Sequence, residues 1–133
     1  MFNSSPFENN PAKEKRNPEV IFVSDMFVSD YVGGAELTSQ AIIDSSPFEV
    51  AMIHAKNVSE ETIANYSDKY WVFGNFSSLE PSLVRLASQV LNYSVLEYDY
   101  KICRYRSPEK HLLVEGAKCD CPDTDWGDLI KEF

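Results

Sequence analysis

The chain has 133 residues, 44% hydrophobic and 13% aromatic, which is room for one globular domain with a real core and not the composition of a disordered chain. A formal net charge of −9 argues against sequence-blind nucleic-acid binding and against attachment to acidic membranes, because such a surface repels phosphate. No apolar run approaches the ~20 residues of a membrane span, and three cysteines, an odd count, suit a reducing, cytoplasmic setting better than a disulfide framework.

Residues 1–18 are Asn, Ser, Pro and charge without an apolar secretion core, and are expected to form a flexible leader. Five Asn-x-Ser/Thr sequons begin at Asn3, Asn57, Asn65, Asn75 and Asn92; without a secretion signal they carry no weight. Ser4-Ser5-Pro6-Phe7-Glu8 recurs as Ser45-Ser46-Pro47-Phe48-Glu49. Two copies with unlike flanks make no structural repeat.

From Glu19 the pattern alternates. An apolar run over residues 20–24 predicts a first strand, ending in Ser24-Asp25. After a loop, Gly33-Gly34 opens a helix over residues 34–44, with Leu37, Ala41 and Ile42 expected on one side. Residues 48–54 predict a second strand, closed by His54. Ser59 is a good N-cap for a second helix, with Glu60 and Glu61 in its first turn and Val58 and Ile63 at staple positions. Residues 70–73 predict a third strand, stopped by Gly74-Asn75. The third helix has Pro81 in its first turn and Leu79, Leu83, Leu86, Ala87 and Val90 at helical spacing. A fourth strand is expected over residues 94–98.

Short apolar strands separated by helices predict an α/β domain over residues 19–100: a Rossmann-like parallel sheet of about four strands with helices on both faces. Residues 101–133 read as an irregular, cysteine-containing extension with a weak helical signal at Trp126, Leu129, Ile130 and Phe133. The chain stops where a fifth strand would be expected, so a missing second domain, or pairing of the open sheet edge with a twin, is anticipated.

In parallel sheets ligands sit beyond the carboxyl ends of the strands. Those ends carry Asp25, His54, Glu97 and Asp99. The Gly33-Gly34 bend can leave helix-start amides open to an anion, although a bare Gly-Gly equally makes a turn with no ligand. Neither a Gly-x-Gly-x-x-Gly fingerprint nor a P-loop is present. Glu97 and Asp99, two apart, could converge on sugar hydroxyls or serve acid–base work. Each is also an ordinary solvated charge. Lys101, Arg104, Arg106 and Lys110 form a basic patch among Tyr98, Tyr100 and Tyr105. It could grip phosphate, but pairing with the acidic tail over residues 120–128 is the favoured reading. Cys103, His111, Cys119 and Cys121, spaced Cys-x7-His-x7-Cys-x-Cys, offer three thiolates and an imidazole for a structural zinc site. Three reduced cysteines and a surface histidine is the plainer alternative.

Phe22-Val23-Ser24-Asp25 with Val32-Gly33-Gly34-Ala35-Glu36-Leu37 resembles the first strand and glycine loop of retaining GT-B glycosyltransferases. Tyr98-Asp99-Tyr100-Lys101 and the run from Tyr105 to His111 are similar to stretches in phage-borne members. The resemblance spans residues 19–121. It implies the N-terminal, acceptor-side half of a two-domain enzyme that transfers a sugar from a nucleotide-sugar donor to an acceptor. Gly33 and Gly34 would approach the donor phosphates, Glu36 would orient that loop, and Asp25, Glu97 and Asp99 would contact the acceptor. The donor-gripping half with its Glu-x7-Glu motif has no counterpart here, so binding without turnover is expected of this chain alone. The other class of function that remains is a stand-alone ligand- or partner-binding module with a structural zinc.

Overall fold

The computed structural model describes residues 17–133; the leader's first sixteen residues and the first Ser-Ser-Pro-Phe-Glu copy lie outside them. Four strands, β1 (Val20–Ser24), β2 (Val50–His54), β3 (Tyr70–Phe73) and β4 (Asn92–Val95), form one sheet in the order β2-β1-β3-β4. Each pairing is parallel, with Phe22 opposite both Met52 and Val72. The strand order reverses at β1, so the switch point of this doubly wound sheet lies between the carboxyl ends of β1 and β3.

Alternation along β1 sorts the core into two layers. Ile21 and Val23 point to one face, with Ile53, Trp71 and Phe73. Ile63 of α2 (Glu60–Asn65), Val84 and Ala87 of α3 (Pro81–Val90) and Leu129 of α5 (Asp125–Glu132) cover them. Phe22 points the other way and packs with Phe27, Val50 and Ile43 of α1 (Gly34–Ser45). Burying each of these large side chains contributes about 1.5–3 kcal/mol. Trp71 and Phe73 are fully buried. The indole N–H of Trp71 donates to Tyr66 O (2.9 Å), which removes the cost of burying it unpaired.

The second helix starts as its sequence requires. Thr62 N–H donates to Ser59 Oγ at 3.1 Å, and Val58 and Ile63 are both buried in the same cluster. Other expectations shift. β2 begins at Val50 rather than Phe48, because Ser46 Oγ accepts from Phe48 N–H (3.1 Å) and holds a turn that leaves Phe48 55% exposed. β4 runs from Asn92 to Val95 rather than over 94–98. The carbonyl of Leu96 is taken by Lys101 Nζ at 2.6 Å, and the chain leaves the sheet there. On α1 the buried positions are Ser39 and Ile43, while Leu37 and Ile42 face outward. That roll lets Ser39 Oγ and the Tyr98 hydroxyl share a hydrogen bond of 2.8 Å. On α3, Val84 takes the core position and Val90 is exposed.

The C-terminal segment is cysteine-rich but more regular than its sequence suggests. It holds α4 (Pro108–Glu115), a 3-10 turn (Cys121–Asp123) and α5. Helix α4 has the punctuation of a designed helix: Ser107 accepts from Lys110 N–H, Pro108 occupies the first turn, and Gly116 ends it in the left-handed region at φ 72°. Helix α5 brings Phe133 onto the Tyr93 ring (4.7 Å between centroids), and the Tyr93 hydroxyl donates to Phe133 O (2.7 Å). No helix among the described residues is long and apolar enough to cross a membrane.

Candidate metal centre

The clearest chemical constellation lies where α4 and the 3-10 turn meet. Cys103, His111, Cys119 and Cys121 each turn one ligand atom inward, and the four atoms lie within 4.8 Å of one another. His111 Nδ1 is 3.7 Å from Cys103 Sγ and 3.5 Å from Cys121 Sγ. In a tetrahedral zinc site, bonds of 2.3 Å to sulfur and 2.0–2.1 Å to nitrogen place those atoms about 3.6 Å apart. The four residues are therefore close enough to hold a metal ion, and their donor set is the one that soft-to-borderline cations take.

Local chemistry presents each ligand. Cys103 N–H donates to Tyr100 O (3.2 Å) and Arg106 N–H to Cys103 O (2.9 Å), which curls the chain. Arg106 sits at φ 63°, an uncommon conformation for a side-chain-bearing residue. Its guanidinium is held by Asp99 (3.1 Å). The curl aims Tyr105 N–H at Cys103 Sγ (3.4 Å). His111 is the buried residue of α4; the other seven are exposed. Its Nε2 faces Asp120 Oδ1 at 3.7 Å, leaving Nδ1 toward the sulfurs. A carboxylate behind a ligating histidine fixes its tautomer and ring orientation. Asp120 was not singled out in the sequence, although it stands between the Cys119 and Cys121 ligands.

The thiols share one polar pocket unequally. Burial works to raise Cys103, but hydrogen bonds with the Tyr105 amide, His111 and Cys119 bring it down to about 7. Burial pushes Cys119 the other way, to about 11, helped by the hydrogen bonds its thiol makes to Cys103 and Cys121. Three sulfurs this close resist becoming three anions unless a cation joins them, and a bound divalent ion deprotonates coordinating thiols outright.

The sheet edge looks different. Asp25 is engaged by the chain itself: its carboxylate accepts from Ser77 N (2.7 Å), Ser77 Oγ (2.6 Å) and Ser78 N (2.9 Å). It caps the turn ahead of α3, filling with an internal carboxylate the amide cradle at the switch point. Gly33 is the N-cap of α1 at φ −127°. A Cβ there would lie 2.5 Å from Glu36 Oε1 and 2.7 Å from the Tyr31 ring, both ends of side chains that can swing aside, so neither space nor backbone angle demands glycine at this position. Gly34 borders open space. Glu97 and Asp99 do converge, but on Lys101, whose buried Nζ is 3.2 Å from Glu97 and 3.8 Å from Asp99. Arg104 pairs with Glu115 (3.4 Å). Lys101, Arg104 and Arg106 are thus paired within the chain, but with Glu97, Asp99 and Glu115 rather than with the acidic tail the sequence suggested. His54 Nε2 meets Asp30 Oδ2 at 2.6 Å, and this hydrogen bond, with that of Phe27 N–H, holds the Asp30 carboxyl below its ordinary value. The structure therefore gathers the four Cys/His residues in one place, whereas Asp25 and the Glu97–Asp99 pair are engaged by groups within the chain.

No family model, curated protein or solved structure matches the chain.

Proposed function

We propose that Cys103, His111, Cys119 and Cys121 bind one structural zinc ion, and that the chain is an α/β ligand- or partner-binding module whose C-terminal segment is stapled by that ion. The observation that carries this reading is the agreement between the two nitrogen–sulfur separations, 3.5 and 3.7 Å, and the about 3.6 Å edge of a tetrahedral Cys3His site. All four protein ligands are present, which is the closed arrangement of structural rather than catalytic zinc. Competition of the purified protein against a chromogenic zinc chelator tests it. One tightly held equivalent, lost when Cys121 is replaced by Ser, is the expected result. Equal chelator response with and without protein would end the reading.

A second reading, the acceptor-side half of a sugar-transferring enzyme, keeps one supporting observation. Helix α1 starts with no side-chain cap, and Gly34 faces open space, which suits an approaching phosphate. A thermal-shift screen separates the two. Under this reading a nucleotide sugar at 100 times its Kd stabilises the fold by about 2.7 kcal/mol, while free sugars at the same concentration do not. A flat response to every nucleotide sugar would remove it.

A further inference from the structure

The three thiols of the metal centre are not equally reachable, and the difference points to chemistry at one of them. Cys103 and Cys121 are 0% and 3% exposed. Cys119 is half-buried and forms part of the wall of an open cleft of about 400 Å³ with Tyr100, Pro108, Leu112, Lys118 and Pro122. That cleft brings solvent to Cys119 alone of the three cysteines, and its wall is mostly apolar. Metal-bound thiolates remain nucleophiles, and their reactivity follows access.

Resting on the zinc reading, we infer that Cys119 is a modification site for small electrophilic oxidants of the peroxide class, and that its oxidation expels the ion. The Cys119 thiolate attacks one peroxide oxygen. The O–O bond breaks, hydroxide leaves, and a sulfur–oxygen bond forms as sulfenic acid. The zinc–sulfur bond of Cys119 is lost in that step. A second thiolate, Cys103 or Cys121, lies within 4.8 Å and attacks the sulfenic sulfur. The S–S bond forms, the S–O bond breaks, and a second hydroxide leaves. Two sulfurs together give up two electrons, peroxide takes them, and solvent protons convert both hydroxides to water. Zinc leaves unreduced, having lost two of its four ligands.

The segment that carries the site is built to register that loss. Helix α4 is anchored inward through His111, while Leu112, Leu113 and Val114 stand 52%, 84% and 57% exposed. Loss of the ion removes the metal bond that would tie His111 to the sulfurs, and the helix is then held there only by weaker contacts such as Asp120 (3.7 Å) and the Tyr105 ring (5.3 Å between centroids).

The test uses the full chain loaded with zinc. A short pulse of iodoacetamide, read by peptide mass spectrometry, is expected to label Cys119 at least tenfold faster than Cys103 or Cys121. One equivalent of hydrogen peroxide is expected to release close to one zinc, with Cys119 recovered in a disulfide to Cys103 or Cys121. Labelling of Cys103 or Cys121 at the rate of Cys119 would overturn the inference. So would retention of zinc after tenfold excess peroxide. A chain that takes up no zinc at the outset ends the zinc reading itself, and this inference with it, before any oxidant is added.

Discussion

Stripping the metal from the loaded protein is expected to unfold residues 101–124 and leave the sheet intact. The two regions are held by different forces. Ile21, Val23, Ile53, Trp71 and Phe73 are fully buried between helices, and hydrophobic burial of that kind does not depend on an ion. Residues 101–124 bury few apolar side chains. They are tied by the Lys101–Leu96 and Trp126–Lys101 hydrogen bonds (2.6 and 3.2 Å), by exposed pairs such as Arg104–Glu115, and by the metal centre. Exposed ion pairs contribute little, whereas zinc in small metal-folded peptides supplies on the order of 10–16 kcal/mol. Hydrogen exchange before and after chelation measures the outcome. Amides of α4 should lose protection by at least a hundredfold, and those of Val23 and Phe73 should change little. Protection of α4 that survives complete metal removal would contradict the expectation.

Replacing Gly127 by Ala is expected to destabilise the protein by about 2 kcal/mol and weaken metal binding at least tenfold. In an exposed helix interior the same change is stabilising by about 0.8–1 kcal/mol, so the sign is diagnostic. Gly127 lies in the first turn of α5, packed against the chain that carries Cys121. A Cβ there would sit 2.2 Å from Cys121 O and 2.9 Å from Pro122 Cα. Both are backbone atoms and cannot rotate aside. The overlap must be relieved by moving α5 or the 3-10 turn, and forced shifts of this kind cost about 1–3 kcal/mol beyond the lost propensity gain. Moving the turn also moves a ligand. Thermal melts of the metal-loaded and metal-free forms separate the two effects: the variant should melt lower in both, with the larger gap when metal is bound. A variant that melts at or above the parent would show that the contact is not constraining.

The sheet was legible because its strands are short apolar runs between clear helix starts. Ser59, Pro81 and the stop at Gly74-Asn75 act locally, and local signals survive folding. The helix faces were less legible. Ranking α1 by apolarity puts Leu37 and Ile42 inward, yet a hydrogen bond shared with Tyr98, 59 residues away, accompanies an inward Ser39 instead. Helix α4 escaped notice because Leu112, Leu113 and Val114 are consecutive and outline no single face. Its Ser107-Pro108 start and Gly116 end were readable, and weighting them above periodicity would have found it. The four Cys/His residues of the candidate centre were visible as a spacing, but their convergence depends on the curl at Cys103 to Arg106 and on the close approach at Gly127. The carboxyl-edge acids illustrate the opposite failure. Asp25, Glu97 and Asp99 stand where an α/β sheet places ligands, but partners within the chain, Ser77, Ser78 and Lys101, engage them, and no local pattern reveals that.

The cobalt spectrum of the metal-free chain tests the central claim most directly. Titration with Co(II) at neutral pH should produce the visible bands of a tetrahedral ion and the near-ultraviolet charge transfer of thiolate ligands, saturating at one equivalent and disappearing on addition of one zinc. A spectrum that stays that of hexa-aquo cobalt, or one whose thiolate bands survive replacement of His111, Cys103 and Cys121 together, would contradict it.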